Sequence, residues 1–374
     1  MGVLVAASMP VAASTQRLAT ADRVAQSPGW WPTKGTAPRK DFLGPTACAA
    51  CHTEKAATQA TTAMARTASR ATTSEALRGH PRLSFRLGAY SYSIVTDERQ
   101  TTYAVTDGTR SESSLLTWAF GEGKVGQSFL FDRDGLLFES RVTYFDSLKA
   151  LDFTPGRAVP ASSPFEEAMA RRVGNVEARR CFGCHTTAST TEGVFDHASD
   201  PIPGVTCEAC HGPGRKHVEA MQGGRLEEGK REVMDPRRLD PTELVDFCGA
   251  CHATYWDIAL EGSTGPIALR SQPYRLQSSR CWGPGDVRIT CTACHDPHVP
   301  LVREPRSYDR RCLACHLSPG EPATRERSER ACKVGTESCV SCHMPSYEVP
   351  EMHSKFTDHL IRVVRPRDGT PAKR

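Results

Sequence analysis

The chain has 374 residues, a formal charge of +4, 39% hydrophobic and 7% aromatic residues, and sixteen cysteines. That length suits two or three ordinary domains, but the apolar content is modest for cores of that size. The small positive charge gives no footing for nucleic-acid binding. No segment reaches the roughly 18 consecutive apolar residues that a membrane-spanning helix needs.

In chain order, residues 1–40 read as an atypical export signal followed by a linker. Gly2 to Ala13 is short, apolar and Ala-rich, and Val11-Ala12-Ala13 suits a small-residue cleavage site, but the positive segment of an ordinary signal peptide is missing. Pro28, Pro32, Pro38, Gly29 and Gly35 mark the linker, and Trp30 and Trp31 are expected to pack on the body of the protein. Residues 41–82 carry a first Cys-x-x-Cys-His motif, formed by Cys48, Cys51 and His52. The Ala/Thr/Arg-rich run Glu54–Arg70 predicts a helix bearing Met64, and Pro81 stops any helix at His80.

Residues 83–155 change period. Leu83–Leu87, Tyr90–Ile94, Thr102–Val105 and Ser128–Phe131 alternate apolar with polar, with turn signals at Asp107-Gly108 and Asp134-Gly135. The pattern predicts a small antiparallel β-module of about four to six strands. Residues 156–365 hold six more motifs. They are Cys181, Cys184 and His185; Cys207, Cys210 and His211; Cys248, Cys251 and His252; Cys291, Cys294 and His295; Cys312, Cys315 and His316; and Cys339, Cys342 and His343. A helix over Glu166–Arg180 leads into the first of these, and short helices and loops follow. Residues 366–374 form a polar, frayed tail. The predicted fold is mainly α with extensive loops, and the β-module is inserted between the first and second motifs.

The motif carries the chemistry. Two thiols three positions apart on one helical turn can add to the two vinyl groups of one porphyrin, and the following His gives its imidazole to the iron. Zinc is the alternative, but zinc ribbons need two half-sites per metal, and seven copies leave one over. The reading is therefore seven covalently attached haem c groups. The haem faces supply much of the apolar area missing from the polypeptide, and their propionates, about fourteen, offset its positive charge. Arginines are expected to pair with those propionates.

Thirteen histidines serve seven irons. Beyond the seven proximal ligands, His80, His197, His217, His298, His353 and His359 are candidate distal ligands, and Met64 is the candidate for the one iron left over. Met344 adjoins a proximal His and faces the wrong way. His298 follows His295 too closely to cross its own ring, so it is expected on a different iron. The two remaining cysteines, Cys281 and Cys332, suggest a disulfide in an oxidising compartment.

Several stretches resemble bacterial multihaem cytochromes of the cytochrome c-554 type. They are Cys207-Glu-Ala-Cys210-His211-Gly-Pro-Gly with His217, Cys291-Thr-Ala-Cys294-His295-Asp-Pro-His298, and Cys339-Val-Ser-Cys342-His343-Met344-Pro345. The wider group includes pentahaem nitrite reductases and octahaem hydroxylamine oxidoreductases. The closing run His353 to His359 and the β-module are similar to segments of uncharacterised multihaem cytochromes, among which this chain would be a heptahaem member. The resemblance covers roughly 42–365. No Cys-x-x-Cys-Lys motif marks a nitrite-reducing haem, there is no eighth motif, and no Tyr is placed as the hydroxylamine oxidoreductase cross-link.

The resemblance implies a haem wire, an electron carrier between redox partner proteins in the periplasm or outside the cell. A reductase or oxidase of a small nitrogen or sulfur species at one open haem is the second reading. A subunit of a polymeric cytochrome filament or an outer-membrane complex is the third. Near-complete distal ligation favours the carrier. The mature protein should exceed its polypeptide mass by seven haem masses under denaturing mass spectrometry, and six or fewer would mark one motif as a decoy.

Overall fold

The computed structural model describes residues 37–364, apart from 158–159, 161–162, 192–193, 196–198, 262–264, 280, 283–288, 317–331 and 333. The export signal, most of the linker with Trp30 and Trp31, His197 and the tail lie outside the described residues.

Two antiparallel sheets lie between the first and second motifs. One is a meander of β2 (Arg82–Leu87), β3 (Tyr90–Thr96), β4 (Thr101–Thr106) and β5 (Ser111–Leu115). The other runs β1 (Ala68–Arg70), β6 (Trp118–Phe120), β7 (Gly126–Arg133), β8 (Leu136–Phe145) and β10 (Ala170–Arg172). Its sixth strand, β9 (Ala150–Phe153), pairs with the end of β8. The predicted turns form as their chemistry requires. Asp134 and Gly135 both take positive φ, 52° and 74°, and make the two-residue connection from β7 to β8. Between β4 and β5, Asp107 Oδ1 accepts the N–H groups of Thr109 (2.8 Å) and Arg110 (2.7 Å).

Alternation governs what each sheet buries. Tyr92, Ile94, Tyr103 and Val105 of the meander face Phe129, Phe131, Val142 and Tyr144 of the larger sheet, closed by Leu77, Phe165 and Met169. The opposite face of the larger sheet is also buried. Trp118, Phe120, Leu130 and Leu137 pack on Ala178 and Phe182 of the helix Asn175–His185, which carries the second motif. A sheet covered on both faces is apolar on both, and β6 (Trp118-Ala119-Phe120) is buried at every position.

Three expectations change. The module is larger than four to six strands, with a four-stranded and a six-stranded sheet, so helices and antiparallel sheets share the fold where a mainly α one was expected. The strands β1, β6 and β10 span three residues each, too short for alternation to show. The helix over Glu54–Arg70 is only Thr53–Gln59. Past it Thr61 Oγ1 donates to Thr58 O (2.7 Å) and Thr62 Oγ1 to Gln59 O (2.7 Å), local bonds that compete with the helix ladder. The helix over Glu166–Arg180 is broken in two. Phe165–Met169 gives way to β10, whose Arg171 bonds Glu139 Oε2 of β8 and Glu177 Oε2, both at 2.6 Å.

Phe131 is fully buried between the rings of Tyr103 and Phe138. Phe131→Ala should cost about 3–5 kcal/mol of stability in chemical denaturation, without altering the haem absorption bands of the protein that still folds.

Candidate haem-binding site

Each motif lies on a short helix or helical turn: Pro45–Ala49, Asn175–His185, Cys207–His211, Pro241–His252, Cys291–Cys294, Asp309–His316 and Cys339–His343. A single turn puts cysteines i and i+3 on one face. The first motif runs one turn past its helix, and Cys51 N donates to Cys48 O at 3.2 Å to close that turn. The helix Pro241–His252 starts on a capping box. Asp240 Oδ1 accepts from Thr242 N and Glu243 N (both 2.9 Å), and Glu243 Oε2 accepts from Asp240 N at 3.1 Å.

A haem iron needs a neutral imidazole whose Nε2 points outward, which a hydrogen bond from Nδ1 enforces. His211 Nδ1 bonds Met234 O (2.8 Å) and His343 Nδ1 bonds Arg362 O (2.9 Å). His185 Nδ1 lies 2.8 Å from Thr67 Oγ1 and 3.0 Å from Thr67 O. Every one of these anchors comes from a different part of the chain. Burial holds His185, His252 and His295 below the ordinary imidazole range and lowers His359 to about 4, so all four are neutral at neutral pH.

Three pairs of imidazoles face each other. His52 and His217 have ring centroids 6.3 Å apart at 22°. His211 and His298 are 6.0 Å apart at 15°, and His295 and His359 6.3 Å apart at 44°. Metal–imidazole bonds are about 2.0–2.1 Å, and a ring centre lies about 1 Å beyond its nitrogen, so two imidazoles across one metal have centroids about 6 Å apart. The pairs fit that spacing. Their second members are anchored through Nδ1 as well, His217 to Gly229 O (2.8 Å), His298 to Asp296 Oδ1 (3.0 Å) and His359 to Thr357 O (3.1 Å). His298 thus stands opposite the histidine of another motif.

Among the described residues, His80 and His353 face no motif histidine, and His197 lies outside them. His353 Nε2, the nitrogen an iron would need, is bonded to Asp152 Oδ2 of β9 at 2.8 Å, with the ring against Phe145. His80 packs on Tyr144, 5.1 Å between centroids. Both are held by the β-sandwich, and nothing in the spacing of the motifs places it near them. Met64 sits in the turn after Thr53–Gln59, its carbonyl accepting from Val205 N (2.9 Å). The expected Cys281–Cys332 bridge does not form.

The motifs touch one another. The Cys48 thiol lies beside that of Cys207, Cys248 beside Cys291 and Cys312 beside Cys339, on helices in contact. Cys184 Sγ donates to Ala250 O (3.5 Å) and Cys251 Sγ to Gly183 O (3.9 Å), so the second and fourth motifs are back to back. The second cysteines of the first and sixth motifs stand apart from these contacts. Cys51 is exposed and Cys315 half-buried, while their partners Cys48 and Cys312 meet a neighbouring motif.

Several positioning residues escaped the sequence reading. Glu208, inside the third motif and 2% exposed, accepts Leu43 N (2.9 Å), Gly44 N (2.7 Å) and Gly214 N (2.8 Å), clamping the first motif's entry onto the third. Asp309 accepts Ser338 N (2.7 Å) and Cys339 N (2.9 Å), joining the sixth motif to the seventh. Asp358, fully buried, receives Arg275 at 2.8 Å through both oxygens and Arg362 at 2.6 Å, which fixes His359 beside it. Phe120 stacks on His185, 5.0 Å away at 10°. A carboxylate between the two cysteines of a motif was the one available signal, and it pointed to Glu208.

A family model for cytochrome c554 and c-prime matches residues 159–212. The chain is 22% identical over 188 residues to multiheme cytochrome MtrA of Shewanella baltica (strain OS185), covering 48% of this chain and 46% of the relative. It is 30% identical over 95 residues to cytochrome c-554 of Nitrosomonas europaea, covering 23% of this chain and 40% of the relative. It therefore spans less than half the length of either curated relative. Among solved structures, the outer cell wall cytochrome OcwA aligns with a TM-score of 0.50 at 14% identity, over 88% of this chain and 81% of that one, a likeness of fold.

Glu208→Ala would leave two buried N–H groups and one half-buried N–H group without an acceptor. It should destabilise the mature protein by at least about 3 kcal/mol in thermal or chemical unfolding. Glu208→Asp, too short to reach all three, should fall between.

Proposed function

Taking the chain as a multihaem c-type cytochrome, we propose that it is a heptahaem electron carrier working outside the cytoplasm between redox partner proteins. The observation that carries this reading is the contact between motifs: first with third, second with fourth, fourth with fifth, sixth with seventh. Haem c supplies a one-electron ferric/ferrous couple, and cofactors anchored on touching helices are close enough to exchange electrons.

The chain's own residues set the conditions. The motif cysteines hold the groups: Cys48 with Cys51, Cys181 with Cys184, Cys207 with Cys210, Cys248 with Cys251, Cys291 with Cys294, Cys312 with Cys315 and Cys339 with Cys342. The seven histidines that follow them are the proximal ligands. His217, His298 and His359 are the distal partners of His52, His211 and His295. Each distal ligand comes from a segment other than that of the proximal one, so ligation also staples the fold. His298, three residues after His295, belongs to the coordination of the third group while His295 holds the fifth, which draws the two together. Among the described residues no helix is long and apolar enough to cross a membrane.

His217→Ala, His298→Ala and His359→Ala should each convert one low-spin ferric signal to high-spin in the EPR spectrum of the oxidised protein. The affected haem should rise in potential, because loss of an imidazole donor disfavours the ferric state. An unchanged spectrum in all three variants would remove the facing pairs as ligand pairs. The relay is tested separately by reducing the protein with less than one electron per chain. The electrons should settle on the highest-potential haems within the mixing time, and haems that stay out of equilibrium for seconds would break the relay.

A further inference from the structure

The second and fourth motifs stand back to back, and one segment lies beside the histidines of both. It runs from the turn Gly265–Arg270 into the helix Gln272–Gln277, which packs on Pro241–His252. Three ties hold it. Leu269 is buried in a cluster with Val349 and Met352, Tyr274 N donates to Ala253 O (3.3 Å) directly after His252, and Arg275 pairs with Asp358. The backbone of Arg270 and Gln272 is fixed between those ties.

Both side chains act on motif histidines. Gln272 Oε1 is buried and closes no hydrogen bond elsewhere among the described residues. Its neighbour is the His252 ring: burial lowers that imidazole, and Gln272 works against the lowering as an acceptor does. Arg270 places its charge near His185 and His252 alike, and at both it adds to the lowering that burial begins. The residue touches solvent, yet its guanidinium is hemmed in by protein, and burial lowers its own proton affinity with no carboxylate opposing. A guanidinium stays charged even so. Among the described residues it is a cation without a counter-charge, shared by two motifs.

We propose that Arg270 raises the reduction potentials of the haems held by His185 and His252 in step, so that electrons are drawn to this pair while transfer within it stays nearly level. The proposal rests on the reading of the chain as a heptahaem electron carrier. Its sign does not depend on how the guanidinium lies. Facing an iron, the cation disfavours the ferric charge. Paired with a propionate, it cancels a negative charge that favours the ferric state. Gln272 is a positioning residue beside it, holding the His252 ring through its Nδ1–H.

The test is a redox titration of the mature protein, followed by haem absorbance after mass spectrometry has established seven haems. Arg270→Gln should lower two of the seven midpoints, each by about a tenfold fall in the ferrous-to-ferric ratio, or 59 mV for one electron. Arg270→Lys keeps the charge and should restore most of both shifts. Gln272→Leu should raise one midpoint, because an imidazole that loses its Nδ1 acceptor is a weaker donor to ferric iron. In the double variant with Arg270→Gln, that rise should fall on one of the two lowered haems. Midpoints unmoved by Arg270→Gln, or lowered as far by Arg270→Lys, overturn the proposal. So does a shift spread evenly over all seven haems, or a Gln272→Leu rise on a haem that Arg270→Gln leaves alone. A haem count below seven strikes instead at the heptahaem reading beneath it.

Discussion

A histidine that is to bind a haem iron must be neutral and aimed, and a motif's own short helix cannot do this alone. A five-residue helix such as Cys207–His211 leaves the imidazole free to turn. The orienting bond comes from Met234 for His211, from Thr67 for His185 and from Arg362 for His343. Those acceptors lie 23, 118 and 19 residues away in sequence. Much of the tertiary fold can be understood as the means of delivering these carbonyls, and burial then keeps the rings uncharged.

The β-sandwich takes part in this. It would be natural to regard a strand-rich stretch between two cofactor motifs as an insertion hanging off the side. Instead the outer face of its larger sheet is the wall against which the second motif's helix packs, through Trp118, Phe120 and Phe182. The strand β1 begins at Ala68, directly after the anchor Thr67, and joins that sheet beside β6. The sandwich also holds two of the candidate histidines, His80 against Tyr144 and His353 through Asp152. One element thus packs on the second motif's helix and engages two of the candidate histidines.

Buried carboxylates link the motifs. Glu208 and Asp358 each tie a nearby donor to a distant one, and Asp309 accepts two N–H groups at the seventh motif. A carboxylate accepting two or three N–H groups holds backbone more tightly than neutral side chains would, because charge-assisted bonds are roughly twice as strong. A chain with few long helices and a small polypeptide core outside the sandwich needs such ties. Gly204 shows how close the segments run: at φ +78°, a side chain there would collide with the Ala65 carbonyl.

The c-type haem motif was legible in the residues alone, because a five-residue pattern within one helical turn is a local matter. So were the turns at Asp107-Gly108 and Asp134-Gly135, which depend on backbone angles of adjacent residues. The close spacing of His295 and His298 also ruled out a shared iron. Which histidines meet is a matter of tertiary contacts. His217 faces His52 from a distant segment, and His353, spaced like a ligand after the last motif, is claimed by a carboxylate 201 residues upstream. Which thiol of a motif turns to a neighbour, Cys48 rather than Cys51 or Cys312 rather than Cys315, is likewise set by how the helices dock. Short strands such as Trp118–Phe120 and Ala170–Arg172 exist only because a longer neighbour pairs with them. Ligand pairing and strand pairing are both contacts between distant segments, and no periodicity within either segment records its partner.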